Sequence, residues 1–240
     1  MAREGIPFIL IFLVPSLVLL ALGLWIGAVL CLALSAFMAF FFRDPERQAP
    51  SDGDVVVAPA DGRVLDAGPL EPGNQASPSQ ISIFLSPLDV HINRSPIQGE
   101  IVDVEYKPGA FHIASRHIAS VENEQNIVTV KGPKITVVVR QVAGVMARRL
   151  VLWKRAGDSV ELGERIGLMK FGSRMDVILP PDVEMLARKG DRVKGGITLI
   201  GRLCLTAKPH PGPLERNPET SEVGPGPSGL GLLEGHAESK

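Results

Sequence analysis

The sequence predicts a mainly β domain, sandwich-like with a minor helical part, set behind an N-terminal hydrophobic helical membrane anchor and ahead of a disordered tail. Three observations predict it. No charged residue occurs from Ile6 to Phe42, a run of 37. From about Asp54 to Lys208, short stretches rich in Val and Ile alternate with Gly and Pro turn signals. From Pro209 to Lys240, Pro, Gly, Ser and Glu dominate with no periodic apolar pattern, a composition that buries too little surface to fold. The expected divisions are therefore 1–43 for the anchor, 44–208 for the β domain and 209–240 for the tail.

The anchor comes first. One crossing needs about 20 apolar residues, so the run is too long for a single untilted helix. Pro15, Gly23 and Gly27 interrupt it. Two arrangements fit: a hairpin of two short helices turning between Gly23 and Gly27, or one long tilted helix. Length favours the hairpin. A cleaved signal peptide would have a far shorter apolar core and a small-residue cleavage site. Arg3 stands beside Glu4, and Arg43 and Arg47 are interleaved with Asp44 and Glu46, so flanking charge sets no orientation. Cys31 and Cys204 neither frame a disulfide scaffold nor space like metal ligands, which suits a reducing compartment. The expected location is the cell membrane, with the β domain on the cytoplasmic side. Basic and acidic residues nearly cancel, 25 against 26, so no basic field calls for a nucleic-acid partner.

Along the β domain the expected strands are Val55–Ala58, Arg63–Ala67, Gln80–Leu85, Glu100–Tyr106, Asn126–Val130, Lys134–Val142, Arg149–Trp153, Arg174–Leu179 and Ile197–Leu205. Ala110–Val121 reads as a short helix or an ordered loop. Two internal echoes stand out. Pro59-Ala-Asp-Gly62-Arg-Val64 is matched by Pro96-Ile-Gln-Gly99-Glu-Ile101, and Gly157-Asp-Ser-Val160-Glu-Leu-Gly163 by Gly190-Asp-Arg-Val193-Lys-Gly-Gly196. Each places a glycine where a tight turn needs permissive dihedrals, then a β-branched residue to start a strand. Such repeated hairpins resemble the β-sandwich of biotinyl and lipoyl domains.

The chemistry centres on Gly172-Ser173, a permissive residue followed by a hydroxyl between two strand-like stretches. Glycine allows a distorted turn and leaves its carbonyl unshielded. A serine directly after it can turn its oxygen onto that carbonyl. Attack gives an ester, and elimination of the ester leaves dehydroalanine, which hydrolyses to a pyruvoyl group. A Gly-Ser pair alone is an ordinary turn signal.

The wider run Lys170-Phe-Gly-Ser-Arg-Met-Asp-Val-Ile-Leu-Pro180 resembles the self-cleavage site of short phosphatidylserine decarboxylases. So do Phe42-Arg43-Asp44-Pro45-Glu46-Arg47, Ala58-Pro-Ala-Asp-Gly-Arg-Val64, Phe84-Leu-Ser-Pro-Leu-Asp-Val-His-Ile-Asn-Arg-Ser-Pro96 and Gln141-Val-Ala-Gly-Val-Met-Ala-Arg-Arg149. The segments lie in the family's order. The resemblance implies cleavage between Gly172 and Ser173, with Ser173 converted to a covalent pyruvoyl cofactor and no metal required. Fragments 1–172 and 173–240 would stay associated. The pyruvoyl ketone would take the amine of a membrane phospholipid as a Schiff base, and decarboxylation of phosphatidylserine would release phosphatidylethanolamine and CO2. Self-association into a homo-oligomer is compatible with it.

Within that resemblance Ser173 needs a base. His91 is the leading candidate, with Asp61 as the carboxylate that holds its ring. Longer members carry two histidines here, three residues apart, the second being assigned to self-cleavage. Counting back from Pro96, His91 takes the first place and Arg94 stands in the second. His91 is thus expected to serve cleavage, decarboxylation or both. His112 and His117 are five residues apart, share no helix face and read as ordinary polar positions. His210 and His236 read as solvated tail residues. Arg148, Arg149, Lys154 and Arg155 around Trp153 read as a solvated strand edge, with contact to anionic headgroups as the alternative.

Two rivals from other classes remain at this stage. A membrane-tethered carrier domain would be modified at Lys170, although Leu168-Met-Lys-Phe-Gly-Ser173 lacks the tight Ala-Met-Lys-Met setting. A noncatalytic β-sandwich adaptor would leave the chain intact.

Overall fold

A computed structural model describes residues 1–204 except 75, 117, 146–149 and 171. The expected tail, with His210 and His236, lies outside the described residues, as do His117, Arg148 and Arg149. The apolar run forms two helices, α1 (Ile6–Ala21) and α2 (Trp25–Phe41), after one 3-10 turn at Arg3–Gly5. Gly23, at φ 75°, makes the reversal between them. The helices run antiparallel: Ser16 Oγ donates to Ala28 O at 2.8 Å, and Ser35 Oγ to Ile9 O at 3.1 Å. Leu17, Val18, Leu20, Ile26, Val29 and Leu30 face outward, an unbroken apolar surface of a kind soluble monomers rarely present. The stretch Arg3–Ala21 is long and apolar enough to cross a membrane, and α2 is shorter.

The rest is mainly β. In chain order the elements are β1 (Val55–Val57), β2 (Gly62–Pro69), β3 (Ser79–Leu85), β4 (Ile92–Arg94), β5 (Gly99–Lys107), α3 (Ala119–Glu122), β6 (Gln125–Lys131), β7 (Thr136–Val142), β8 (Leu150–Leu152), β9 (Ser159–Val160), β10 (Arg165–Met169), β11 (Ser173–Leu179), β12 (Val183–Met185), β13 (Arg192–Val193) and β14 (Leu199–Leu203). An eight-stranded antiparallel sheet runs β13-β2-β3-β11-β7-β6-β5-β9, with smaller sheets β1-β14-β12 and β4-β10-β8. Register shifts within β2 and β5 bend the large sheet, which curls around one core. Alternation fills it: Ile81, Ile83 and Leu85 from β3, Val137 and Val139 from β7, and Met175, Val177 and Leu179 from β11 are all buried.

The sequence echoes are structural. Gly62 and Gly99 open β2 and β5, where a Cβ would stand 2.1 Å from Phe84 O and 2.2 Å from Lys131 O. Val193 in β13 pairs with Gly62, and Val160 in β9 pairs with Gly99. The two ends of the sheet are thus built alike.

Ala110–Val121 is mostly an ordered loop with one helical turn at α3. Asn123 holds it, accepting from His112 N–H and donating to the carbonyls of His112 and Ala143. Side-chain bonds there replace the helical ladder.

Candidate active site

Three neighbouring strands bring the expected residues to one rim of the large sheet. Ser173 opens β11 opposite Leu85, the last residue of β3. On the other flank of β3, Arg63 pairs with Phe84, so Asp61, just ahead of β2, lies at the same rim. The chain leaving β3 turns and returns as His91, ahead of β4. Met169, the end of β10, donates its N–H to His91 O at 3.1 Å, three residues before Gly172. Asp61 and Ser173 flank β3 on opposite sides, about 10 Å apart at two strand spacings. A carboxylate at 61 therefore reaches Ser173 only through a group between them.

Ser173 shares the face of Met175, Val177 and Leu179 and is fully buried. Its Oγ has no hydrogen-bond partner among the described residues. A buried unpaired hydroxyl costs about 1–3 kcal/mol, a cost that calls for a functional reason. Gly172 has φ 64°, and among the described residues other than its chain neighbours nothing lies within 4 Å of where its Cβ would be. Its carbonyl oxygen is seated against the backbone of Gly144, where a Cβ would stand 1.9 Å away. The rim thus holds an open glycine, its carbonyl fixed from one side, and an unengaged hydroxyl. Those features leave a hydroxyl and the carbonyl that precedes it unobstructed at one turn.

His91 is completely buried. Its Nδ1 lies 2.9 Å from Asp89 O; a carbonyl only accepts, so Nδ1 carries the proton. The lone pair then sits on Nε2, which has no partner among the described residues. This is the tautomer of a general base acting at Nε2. Burial lowers the ring's pKa from 6.5 to about 4; Asp89 opposes through its carbonyl and its charge, Arg43 adds to the lowering, and Asp61 opposes weakly. One face of the ring packs on Phe41, centroids 4.1 Å apart.

Asp61 is engaged elsewhere. Its carboxylate accepts from Arg47 Nη1 and Nη2 at 2.5 and 2.8 Å, and from Gly195 N–H at 2.8 Å. No hydrogen bond joins it to His91 among the described residues, so it bears on the ring through charge. Arg94, in the place of the second histidine, is buried and donates to Gly163 O and Pro45 O, both at 2.9 Å. It clamps the segment that follows α2.

Several site residues escaped the sequence reading. Arg47 and Asp89 orient the expected residues through partners with no local signature. A buried chain runs from Asn126 Nδ2 to Gln141 Oε1 at 2.9 Å, then from Gln141 Nε2 to Asn93 Oδ1 at 2.8 Å. Its signal was available: Gln141 shares the parity of Val137 and Val139, and Asn126 that of Val128 and Val130, so both are polar at core positions. Arg174 and Asp176 point to the opposite face, where Arg174 bonds Asp176 at 2.5 Å and Ser82 at 2.7 Å.

The remaining expectations divide. His112 pairs with Glu122 at 3.0 Å, both exposed. Lys154 pairs with Glu164 at 2.5 Å, and Trp153 Nε1 donates to Glu4 at 2.6 Å, beside the anchor's start. Lys170 is half-buried with Nζ 5.2 Å over the Phe8 ring, whereas a carrier lysine must stand clear at a turn.

The chain is similar to known proteins over most of its length. The family model described as phosphatidylserine decarboxylase matches residues 34–201. A phosphatidylserine decarboxylase proenzyme from Solibacter usitatus is 49% identical over 186 residues, covering 76% of this chain and 88% of the relative. One from Salinibacter ruber is 46% identical, covering 75% and 82%. One from Symbiobacterium thermophilum is 45% identical over 209 residues, covering 84% and 95%.

Proposed function

This chain belongs to the phosphatidylserine decarboxylase family, and from that premise we propose that it cuts itself between Gly172 and Ser173 and then decarboxylates phosphatidylserine at the rim where Ser173 lies. As a member it is a carboxy-lyase of phospholipid biosynthesis made as a proenzyme. His91 Nε2, not hydrogen-bonded to Ser173 Oγ in this structure, closes on it and takes its proton as that oxygen attacks the Gly172 carbonyl carbon. The C–N bond breaks, the proton passes to the freed nitrogen, and an ester links the two residues. Loss of the Cα proton of residue 173 expels the Gly172 carboxylate and leaves dehydroalanine. Water then releases ammonia and leaves a pyruvoyl group on the fragment 173–240. That group supplies a carbonyl as sink for the electron pair left when the substrate's carboxylate departs as CO2.

The chain's own residues do the rest. Gly144 fixes the Gly172 carbonyl, and Asp89 fixes the tautomer of His91. His91 is the proton carrier at the rim for both reactions. The apolar hairpin keeps the protein on the bilayer, so a diacyl substrate leaves its tails in lipid while its headgroup reaches the site. The observation that carries the reading is the buried Ser173 Oγ, without a partner among the described residues and directly after a positive-φ glycine. The test is CO2 release from carboxyl-labelled phosphatidylserine in mixed micelles. Wild-type protein should turn over and Ser173→Ala should fall to the blank. Turnover by Ser173→Ala would end the proposal.

A further inference from the structure

The end of α2 and the residue after it pack into the β domain. Phe41 and Phe42 are completely buried and pack with Ala2, Val90, Ile92 and Leu168, with Phe8, Met38 and Val151 around them. Burying two phenylalanines stabilises by about 2–3 kcal/mol each, so this contact is a joint and not a loose tether. Polar bonds lock it on both sides. Ala2 N–H donates to Phe42 O at 2.9 Å, and Arg43 Nη2 donates to Leu88 O at 2.7 Å, in the loop that carries His91. Asp44 meets Arg165 at 2.8 Å, and Arg47 holds Asp61. Inside the joint, the Phe41 ring lies against the His91 ring, 4.1 Å between centroids and tilted by 36°.

We propose that the anchor is a structural part of the active site, with Phe41 acting as a positioning residue that keeps the His91 ring dry and in one orientation. The inference rests on the role given to His91 above. Val90 and Ile92 close the joint around His91, and Phe41 is the aromatic cover on its ring. The charged groups bearing on His91 are Asp89, Arg43 and Asp61. A change at Phe41 removes none of these charges, so a shift in His91 behaviour follows from loss of the cover. With that cover gone, water reaches the ring, its protonated form is solvated, and the base is titrated away at higher pH.

The experiment compares full-length wild type, Phe41→Ala and Phe41→Leu in mixed micelles, after mass analysis shows how far each has matured. The readout is the acid limb of the decarboxylation pH profile. Phe41→Ala should move the limb up by about one pH unit, while Phe41→Leu, still apolar, should move it by less than about half a unit. An unmoved limb in Phe41→Ala overturns the proposal. So does an equal loss at every pH in both variants, which is what a purely structural role gives. Should Phe41→Ala fail to mature, the His91 ring is titrated by NMR in uncleaved Ser173→Ala protein with and without Phe41→Ala. An upward shift supports the proposal and no shift overturns it. That titration needs no pyruvoyl group, so it separates failure of this inference from failure of the self-cleavage reading.

Discussion

At the scale of single residues, the site is a set of polar atoms held short of satisfaction. Ser173 Oγ and His91 Nε2 are both buried without partners among the described residues, and each costs free energy that packing elsewhere must offset. For His91 the cost has a pH signature. Its folded pKa is about 4 against 6.5 for the free ring. Between those values the unfolded chain binds the proton and the folded one does not. The stability is therefore fully present above about pH 6.5 and lost as pH falls toward 4, by about 3 kcal/mol in all. Urea unfolding of uncleaved Ser173→Ala protein should show that loss, and the added change His91→Gln should flatten it. Parallel pH curves for the two would contradict the assignment. In the sequence, a run of matched segments singles out Ser173, Gly172 and His91 as candidates. Their partners were not legible. Asp61 reads as a triad carboxylate, yet Arg47 and Gly195 occupy it. Asp89 acts through its backbone carbonyl, which has no side-chain signature.

At the scale of elements, the proposed cleavage site at Gly172 is approached by the loop after β7. The Gly172 carbonyl lies where any side chain at 144 would stand. A Cβ there would push the carbonyl by more than 1 Å, a displacement of the size that costs about 100-fold in a positioned reaction. Gly144→Ala should therefore slow maturation by about that factor. In the Ser173→Ala background the same change should leave most of the thermal stability, and cleavage at the wild-type rate would refute the role. Most longer strands were legible from Val- and Ile-rich alternation, among them β3, β6, β7 and β11. The short β4, β9, β12 and β13 were not, since two or three residues carry no period. Nor was β10: its Ile166, Gly167, Leu168 and Met169 are all buried, which removes the polar alternation that marks a half-exposed strand. The turns at Gly62 and Gly99 were read correctly as strand starts, whereas Val160 and Val193, expected to start strands, end β9 and β13; the place of the echoes at equivalent ends of one sheet needed the three-dimensional pairing.

At the scale of the whole molecule, the proposed cleavage after residue 172 would divide the chain without dividing the fold. The smaller fragment supplies β11, which sits between β3 and β7 in the middle of the large sheet. It also supplies β14, between β1 and β12, and β13 on the edge of β2. The ladders on both sides of β11 and the shared core bind the fragments as firmly as any strand of an uncut domain. On the proposed reading, maturation would change one residue's chemistry and leave the scaffold in place. The most direct test is intact mass spectrometry after native purification of wild-type protein beside Ser173→Ala. The account predicts two co-eluting wild-type fragments, one ending at Gly172 and the other beginning with a pyruvoyl group in place of Ser173, and one uncut variant chain. A single uncut wild-type chain, a cut at another bond, or a cut Ser173→Ala chain would contradict it.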